Sequence, residues 1–350
     1  MTPSASALLD WYARQRRVLP WRALPGQNAD PYSVWLSEIM LQQTTVVTVM
    51  PYYMRFLKRY PTVRDLAAAP LQDVLAAWAG LGYYSRARHL HACATVVAEM
   101  GAFPQDVAGL QALPGIGAYT ARAVAAIAFG LPVVPVDGNV ERITARLHAV
   151  DDPLPKSRRT LDALATRLND DPAAHEAPSD FAQALFDLGA TLCTPRRPSC
   201  LMCPWRDCCK AHALGMAERF PVKAPRKTKP QRYGAVFHLR DAQGRVWLRH
   251  RPDTGLLAGM TELPGTHWGD EALSIESALN QAPIEASWAV SGQIRHIFTH
   301  FTLTLSVFAA QVPDFGSLHN QAGFACPPGL LVKQALPSVM LKCLALADRS

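Results

Sequence analysis

Five of the eight cysteines in this 350-residue chain fall within nineteen residues, in the stretch LCTPRRPSCLMCPWRDCCK (192–210). Four of them follow the spacing C-x6-C-x2-C-x5-C, namely Cys193, Cys200, Cys203 and Cys209. Cys208 is left over beside the last. Such a segment must fold around what its thiols hold, which is a disulfide knot, a zinc ion, an iron–sulfur cluster, or only a thiol-rich loop.

The cellular compartment of the protein decides which of these four interpretations of the cysteines is favoured. The start of the chain, MTPSASALLDWYARQRR, has no apolar core long enough for a signal peptide, and no window approaches eighteen uninterrupted apolar residues. We therefore expect a soluble, cytoplasmic protein, in which clustered cysteines bind metal more often than they form disulfides. The isolated Cys93, Cys326 and Cys343 are predicted to be buried core thiols.

The cysteine spacing also bears on the type of metal. Zinc sites usually pair cysteines two to four residues apart at each end, whereas here a single short pair is flanked by longer gaps. A four-thiolate iron–sulfur site tolerates that asymmetry. The spacing favours a cluster, with zinc as the alternative and Cys208 as a bystander.

Periodicity divides the chain into two parts. Residues 1–220 carry apolar residues at three- and four-residue spacing and read as helices, with a cap at Asp30-Pro31 and a stop at Gly130. The segment PVKAPRKTKPQR (221–232) has five basic residues and three prolines and reads as a linker. Residues 233–350 then show strand patterns: YGAVFHL, the turn DAQGR, VWLRHR, and the alternating FTLTLSVFAA. We predict a multi-domain protein with an all-α domain followed by an α+β domain.

Three motifs, in order, carry a resemblance. LPGIGAYTA (113–121), VDGNV (136–140) and the cysteine spacing resemble the helix-hairpin-helix DNA glycosylases related to endonuclease III. VWLSEIMLQQT (34–44) and LGYYSRARHL (81–90) are most similar to the MutY family of adenine DNA glycosylases.

The resemblance implies a function and a set of partners. It implies a monomeric, nucleoid-associated enzyme that removes adenine paired with 8-oxoguanine or guanine in double-stranded DNA. It also implies a [4Fe–4S] cluster on Cys193, Cys200, Cys203 and Cys209, and a Nudix-like second domain. The net charge of +7 is compatible with a polyanionic partner.

Two carboxyl groups have the properties that excision requires. Glu38 lies in the apolar stretch VWLSEIML, where desolvation would raise its pKa and keep it protonated as an acid; a half-exposed helix glutamate is the alternative. Asp137 precedes a helix and reads as an N-cap, yet a carboxylate there can also stabilise positive charge on deoxyribose. The resemblance assigns protonation of adenine N7 to Glu38, charge stabilisation to Asp137 and positioning near the sugar to Asn139.

The hairpin indicates how DNA is held and what chemistry is missing. Gly115 and Gly117 leave backbone N–H groups open at a helix start, where a phosphate can bind, unless the pair is only a turn between helices. In bifunctional relatives a lysine stands where this chain has Tyr119, so we expect no Schiff base and no strand cleavage.

Further residues are assigned by resemblance alone. Gln43 and Tyr83 match residues that enter the duplex when the base is flipped, although an exposed glutamine and a core aromatic are the simpler alternatives. The positions that line the adenine pocket in the family are here Arg17, Arg22, Leu41 and Gln183.

The second domain is predicted to read the damaged base. From Gly265, the first glutamate of a Nudix box is present at Glu271, but Leu279, Asn280, Pro283 and Ile284 replace its arginine and metal-binding carboxylates. The segment Phe298-Thr299-His300 matches the Phe-Ser-His loop of the family, with threonine for serine. We expect this domain to contact 8-oxoguanine rather than to hydrolyse nucleotides.

Two other functions compete. A thymine-mismatch glycosylase would share the hairpin and cluster but normally lacks the long second domain. A non-enzymatic DNA-binding protein with structural zinc would have no need of a buried glutamate.

Overall fold

The computed structural model describes residues 2–24, 26–225, 228–318 and 322–349. The α-helices of these residues are α1 Ala5–Gln15, α2 Pro31–Leu41, α3 Val46–Arg59, α4 Val63–Ala68, α5 Leu71–Trp78, α6 Ser85–Met100, α7 Val107–Gln111, α8 Ala118–Phe129, α9 Gly138–His148, α10 Arg158–Thr166, α11 Pro172–Glu176, α12 Pro178–Asp187, α13 Lys210–Ala213, α14 Ile275–Leu279 and α15 Ser338–Ala347. The strands are β1 Gln231–Asp241, β2 Val246–His250, β3 Thr261–Glu262, β4 Ala289–Ile297, β5 Thr302–Val312 and β6 Phe324–Cys326. The predicted change from helices to strands is confirmed.

The chain forms two compact units. The first comprises Met1–Ala67 and Ala92–Arg226, and the second comprises Ala68–His91 and Lys227–Ser350. A helical segment that precedes the expected linker thus belongs to the second unit. Of the linker itself, Arg226 and Lys227 lie outside the described residues, and its last two residues begin β1.

The first unit is built around α8. This helix carries small residues on most of its faces, and Ala121 and Ala123–Ile127 are buried. Small side chains allow neighbouring helices to approach closely, and α2, α7 and α12 all pack against α8. Gly130, in a left-handed conformation with φ of 66°, ends the helix as predicted.

Local signals set the start of α2. The side chain of Asp30 accepts hydrogen bonds from the backbone N–H groups of Tyr32 and Ser33, and Pro31 occupies the first turn. From Val34 to Met40 every residue of this helix is buried. A helix buried on all sides carries any polar group in it into the core.

The second unit is a mixed sheet with helices. Its strand order is β3-β2-β1-β5-β4, with β6 paired to β2. The predicted hairpin pairs β1 and β2 antiparallel, with Arg240 opposite Val246, whereas β1 and β5 are parallel from Gln231↔Thr302 to Asp241↔Val312. Helix α15 packs on this sheet, and the predicted core thiols Cys326 and Cys343 are buried there. Cys93 is buried as predicted in the first unit.

The segment Ala68–His91 is anchored within the second unit by polar contacts. Arg88 Nη1 lies 3.2 Å from Asp253 Oδ1, and its Nη2 donates to the Asp253 carbonyl at 3.0 Å. Gln72 Nε2 donates to the Gly259 carbonyl at 3.0 Å. No helix among the described residues is long and apolar enough to cross a membrane.

Candidate active site and cysteine loop

Glu38 is a buried carboxyl group in α2. It is 6% exposed, and this burial, as the dominant cause, raises its pKa to about 7. The negative charge of Asp137 also raises the pKa, whereas a hydrogen bond from Tyr119 and the charge of Arg22 lower it. The predicted desolvation is therefore present in the structure, and Glu38 is partly protonated at neutral pH.

Tyr119, in the first turn of α8, contacts this carboxyl group directly. Its hydroxyl donates to Glu38 Oε2 at 2.5 Å, across 81 residues of sequence. Its ring packs 6.1 Å from that of Phe186. Burial raises the pKa of Tyr119 well above its ordinary value, so the phenol stays protonated and acts as a donor.

Asp137 is the N-cap of α9. Its Oδ1 accepts from the backbone N–H groups of Asn139 and Val140 at 2.9 and 2.8 Å, and its Oδ2 accepts from the Asn139 side chain at 2.8 Å. Burial raises the pKa of Asp137, and these three hydrogen bonds act against the shift. The N-cap and the charged-group interpretations thus describe the same carboxylate, which is held by donors at a helix start.

A chain of hydrogen bonds leads from Asp137 to the cysteine loop. Asn139 Oδ1 accepts from Arg142 Nη2 at 2.9 Å, and the same nitrogen donates to the Gly189 carbonyl at 2.7 Å. Arg142 Nε donates to the Cys193 carbonyl at 2.7 Å. One turn further along α9, Arg146 Nη1 lies 3.3 Å from Cys193 Sγ. The sequence predictions did not include these two arginines. Their spacing of four residues, which places both on one face of a helix, was the feature of the sequence that could have indicated a shared role.

Glu38, Tyr119, Asp137 and Asn139 line one cavity of about 910 Å³ in the first unit. The predicted pocket residues Arg17, Arg22, Leu41 and Gln183 share its wall, and so does Gln43, which was predicted to enter the duplex. Gln183 is 7% exposed, and its Nε2 donates to Ser179 Oγ at 3.1 Å. Its Oε1 is buried and has no hydrogen-bond partner among the described residues, so one residue of the cavity wall carries an unused acceptor.

A carboxylate that the sequence predictions missed supports this wall. Asp187, at the end of α12, is completely buried and accepts hydrogen bonds from both Arg17 and Arg22. The only hint in the sequence was its position within the apolar run ALFDLGA.

Both residues predicted to enter the duplex have unusual backbones. Gln43 has φ of 57° and Tyr83 has φ of 49°, in the left-handed region that non-glycine residues rarely adopt. Tyr83 is 45% exposed and lies in the second unit. Strain of this kind is concentrated at functional sites, where the surrounding fold enforces it.

The glycines of the hairpin leave the start of α8 open. Gly115 has φ of 73°, and Gly117 is the N-cap of the helix, with no side chain capping it. A Cβ atom at Gly117 would meet nothing within 4 Å. Leu113 and Ile116 are buried and fix the turn, so unobstructed N–H groups face outward at this helix start.

The four spaced cysteines influence one another. Burial is the main cause that raises the pKa values of Cys200, Cys203 and Cys209, that of Cys203 to about 12, and thiols of the same set, including Cys193, raise them further. Cys208 instead donates to the Trp205 carbonyl at 3.2 Å, and Cys209 is the one thiol that affects its pKa. All eight cysteines are free thiols.

The arrangement of side chains also bears on metal binding by the cysteine loop. In the part of the chain that the structure describes, no three His, Cys, Asp or Glu side chains are arranged to hold one metal ion.

In the second unit, the predicted Phe298-Thr299-His300 segment joins β4 to β5. The Thr299 hydroxyl lies 3.0 Å from the Tyr83 hydroxyl, so two predicted DNA-contacting residues meet. All three residues of the segment line a cavity of about 610 Å³ together with Tyr83. The ring of Phe298 packs against that of Phe301 in a tilted arrangement, with the ring centroids 4.9 Å apart.

Comparison with known proteins agrees with this site. Residues 36–167 match the HhH-GPD superfamily of base excision DNA repair proteins, and residues 235–346 match the NUDIX domain family. The helical part is similar in structure to a thermostable thymine-DNA glycosylase, with a TM-score of 0.53 and 29% identity, over 60% of this chain and 95% of that protein. The fold and the hairpin site are therefore those of a helix-hairpin-helix base-excision repair enzyme, joined to a Nudix-like domain.

Relatives matched over most of the chain narrow the class. The adenine DNA glycosylase of Mus musculus is 37% identical over 388 residues, covering 94% of this chain and 73% of the mouse protein. The adenine DNA glycosylase of Mycolicibacterium smegmatis is 46% identical over 211 residues, covering 59% of this chain and 69% of that protein. The chain belongs to the adenine DNA glycosylase family, of the MutY type, whose members act in base-excision DNA repair.

Proposed function

We propose that the chain hydrolyses the N-glycosidic bond of adenine paired with 8-oxoguanine or guanine in double-stranded DNA, and leaves the strand intact. One observation carries this proposal: a buried acid, Glu38, shares a cavity with the hydrogen-bonded carboxylate Asp137. Excision needs an acid for the departing base and a negative charge for the sugar, and the cavity supplies both.

Glu38 is the acid. With a pKa near 7 it carries a proton in about half of the molecules at neutral pH, and it donates this proton to N7 of the flipped adenine. Protonation makes adenine a better leaving group, and the bond between C1′ and N9 breaks with its electrons going to the base. Water then adds to C1′ and releases one proton, which returns to the Glu38 carboxylate, so that the products are adenine and an abasic site.

Asp137 stabilises the positive charge that develops on the sugar. Its three hydrogen bonds hold the carboxylate in one orientation without neutralising it, and Asn139 supplies two of them. Asn139 is itself held by Arg142, so the geometry near the sugar depends on α9 as a whole.

The cavity wall suits adenine. The unused acceptor of Gln183 complements the exocyclic amine of adenine, a donor that guanine and thymine lack at the corresponding position. Arg17 supplies donors for ring nitrogens, Arg22 a positive charge, and Leu41 an apolar surface. No lysine lines this cavity in the described ranges, so the amine needed for a Schiff base is missing beside Tyr119.

The cysteine loop fits a [4Fe–4S] cluster. Cys193, Cys200 and Cys209 influence the pKa of Cys203, and the spacing of the four thiols along the chain, with one short pair flanked by longer gaps, suits an iron–sulfur cluster better than zinc. Cys193, Cys200, Cys203 and Cys209 would bind it, and it would supply structural support to the loop, because hydrolysis needs no electron transfer. Analysis of purified protein for about four irons and four sulfides tests this assignment; zinc without sulfide would contradict it.

The DNA is held through its backbone and read through its bases. The open N–H groups beside Gly117 suit a phosphate, and Gln43 and Tyr83 enter the stack when adenine leaves it. Phe298, Thr299 and His300 contact the 8-oxoguanine opposite, with the threonine hydroxyl as the hydrogen-bonding group.

The described residues of the second domain favour binding over nucleotide hydrolysis. Leu279 and Ile284 pack against apolar clusters where a Nudix box would need charged groups. The buried Glu262 is already paired with Arg249 and Arg251. These contacts support a binding role for the domain.

Two conservative substitutions test the proposal. Glu38→Gln and Asp137→Asn should each reduce adenine release by at least about a thousandfold while leaving duplex affinity intact. Single-turnover assays on adenine:8-oxoguanine, adenine:guanine and thymine:guanine duplexes, with a gel-shift measurement beside them, separate chemistry from binding. Thymine release in preference to adenine would favour the thymine-mismatch alternative instead.

A further inference from the structure

The structure contains a second buried carboxylate behind the catalytic cavity, and the proposed reaction does not use it. Asp187 ends α12 and has no exposed side-chain surface. An isolated buried carboxylate is strongly disfavoured, so its surroundings must explain it.

Two arginines of one loop enclose Asp187. Arg22 binds both carboxylate oxygens, with Nη1 to Oδ2 and Nη2 to Oδ1 each at 2.7 Å. Arg17 binds it through Nε at 2.6 Å and through its backbone N–H at 3.0 Å. Arg22 also donates to the Arg17 carbonyl at 3.1 Å, which closes the network. Such bidentate, charge-assisted bonds fix the direction of a guanidinium group as well as its position.

The two arginines that bind Asp187 differ in their contacts and in their exposure. Nη1 and Nη2 of Arg22 both bond to protein groups, and its side chain is 6% exposed. Arg17 binds Asp187 through Nε alone of its guanidinium group, is 28% exposed and lines the cavity, and its two Nη groups have no hydrogen-bond partner among the described residues. Arg22 is thus a fixed charge beside Glu38, and Arg17 is a donor toward the bound base.

We propose that Asp187 is a positioning residue, which aims Arg17 into the adenine cavity and balances the charge of Arg22 beside Glu38. This inference rests on the proposed role of Glu38 as the acid. Without Asp187, two positive charges would face the cavity, and they would favour the carboxylate form of Glu38, which cannot donate a proton.

The other charged residues that line the cavity, Glu141 and Arg158, form an ion pair at 3.3 Å, which leaves the balance of the Arg22 charge to Asp187. The groups that face Glu38 are Arg22, Tyr119 and Asp137. The titratable groups around Asp187 are Arg17, Arg22 and Tyr12, and Tyr12 in turn contacts Arg16 and is influenced by Asp180. Burial by itself would raise the pKa of Asp187, but Arg22 and Arg17 outweigh burial and lower it, so Asp187 stays ionised throughout the working range.

The test is the pH dependence of the single-turnover rate of adenine release. In the wild type the rate should fall as pH rises through about 7, because Glu38 loses its proton. In Asp187→Asn the positive charge of Arg22 is no longer balanced, so the alkaline limb should move down by roughly half a unit to one unit. A role in packing alone would lower the rate without moving this limb.

A second variant covers the possibility that Asp187→Asn does not fold. Arg22→Gln removes the positive charge instead, so its alkaline limb should move up, and combining the two substitutions should return the limb close to the wild-type position. Asp241→Asn is the matched control, since Asp241 is also a buried aspartate paired with an arginine, Arg245, but it lies in the other unit.

The outcomes separate this inference from the proposed function. Alkaline limbs that stay at the wild-type position in both Asp187→Asn and Arg22→Gln overturn the role of Asp187, even if the wild type releases adenine. A wild type that releases no adenine overturns the proposed function itself. Opposite shifts in the two variants, with none in Asp241→Asn, support the inference.

Discussion

Replacing Tyr119 by phenylalanine should make the enzyme more active at alkaline pH relative to its own maximum. The Tyr119 hydroxyl donates to Glu38 Oε2 at 2.5 Å, and this bond lowers the pKa of Glu38 because it favours the carboxylate. A hydrogen bond to a charged group contributes about 1.5–3 kcal/mol. Protonated Glu38 still accepts a weaker bond, so we assign about 1.4 kcal/mol to the difference, which is about one pKa unit.

The sign and size of the effect follow from this shift. In Tyr119→Phe the pKa of Glu38 should rise from about 7 to roughly 8, since the donor to the carboxylate is lost while burial remains. Relative to its acidic plateau, the rate at pH 8 should be about a tenth in the wild type and about a half in the variant. Single-turnover rates of adenine release between pH 5.5 and 9 measure the alkaline limb of the wild type and that of the variant.

A matched control is available on the same helix as Glu38. Tyr32 in α2 is also buried, and its hydroxyl donates to the Tyr60 carbonyl at 2.8 Å, so Tyr32→Phe removes a buried phenolic donor that serves no carboxylate. The alkaline limb of the pH–rate profile of Tyr32→Phe should stay at the wild-type position. An alkaline limb in Tyr119→Phe that is unchanged, or shifted to lower pH, would refute the account of the Glu38–Tyr119 pair.

Further predictions concern stability and the second domain. In the folded state burial raises the pKa of Glu38 from 4.5 to about 7, so the folded protein loses stability as the pH rises from about 4.5 through 7. Urea unfolding should therefore show Glu38→Gln about 3 kcal/mol more stable than the wild type at pH 8. At pH 4 the two proteins should differ little in stability. Arg142→Met leaves the carbonyls of Gly189 and Cys193 without their donor and should lower the free energy of unfolding by about 2–4 kcal/mol. The control Arg122→Met, whose partner Asp162 is half-exposed, should lower it by less than about 1 kcal/mol. Equal losses in the two variants would contradict this account of the α9 network. Changing residues 298–300 to alanine should lower the preference for adenine:8-oxoguanine over adenine:guanine in competition assays while excision continues, and an unchanged preference would remove the segment from recognition.

The sequence was sufficient where the interactions are local. The Asp30 cap, the Gly130 stop and the β1–β2 hairpin follow from residues a few positions apart, and all three are present. The burial of Glu38 was also predictable, because its neighbours in α2 are apolar on every face.

Long-range pairings could not be predicted in the same way. The contact of Tyr119 with Glu38 spans 81 residues, and those of Asp187 with the Arg17–Arg22 loop span 165 and more. An aspartate near a helix end reads as exposed unless the loop that neutralises it is known. The parallel pairing of β1 with β5, and the association of Ala68–His91 with the second unit, likewise depend on tertiary packing, which residue spacing does not encode.

The central claim is that Glu38 and Asp137 excise adenine by hydrolysis without cutting the strand. The most direct measurement incubates the purified chain with a labelled duplex that contains one adenine opposite 8-oxoguanine. The products are divided into two samples, one of which is treated with hot alkali, and both are run on a gel. We predict free adenine, strand breakage only after alkali, and no adduct trapped by borohydride, because no amine lines the cavity among the described residues. Strand breakage without alkali together with a trapped adduct, or no release of adenine, would contradict the account.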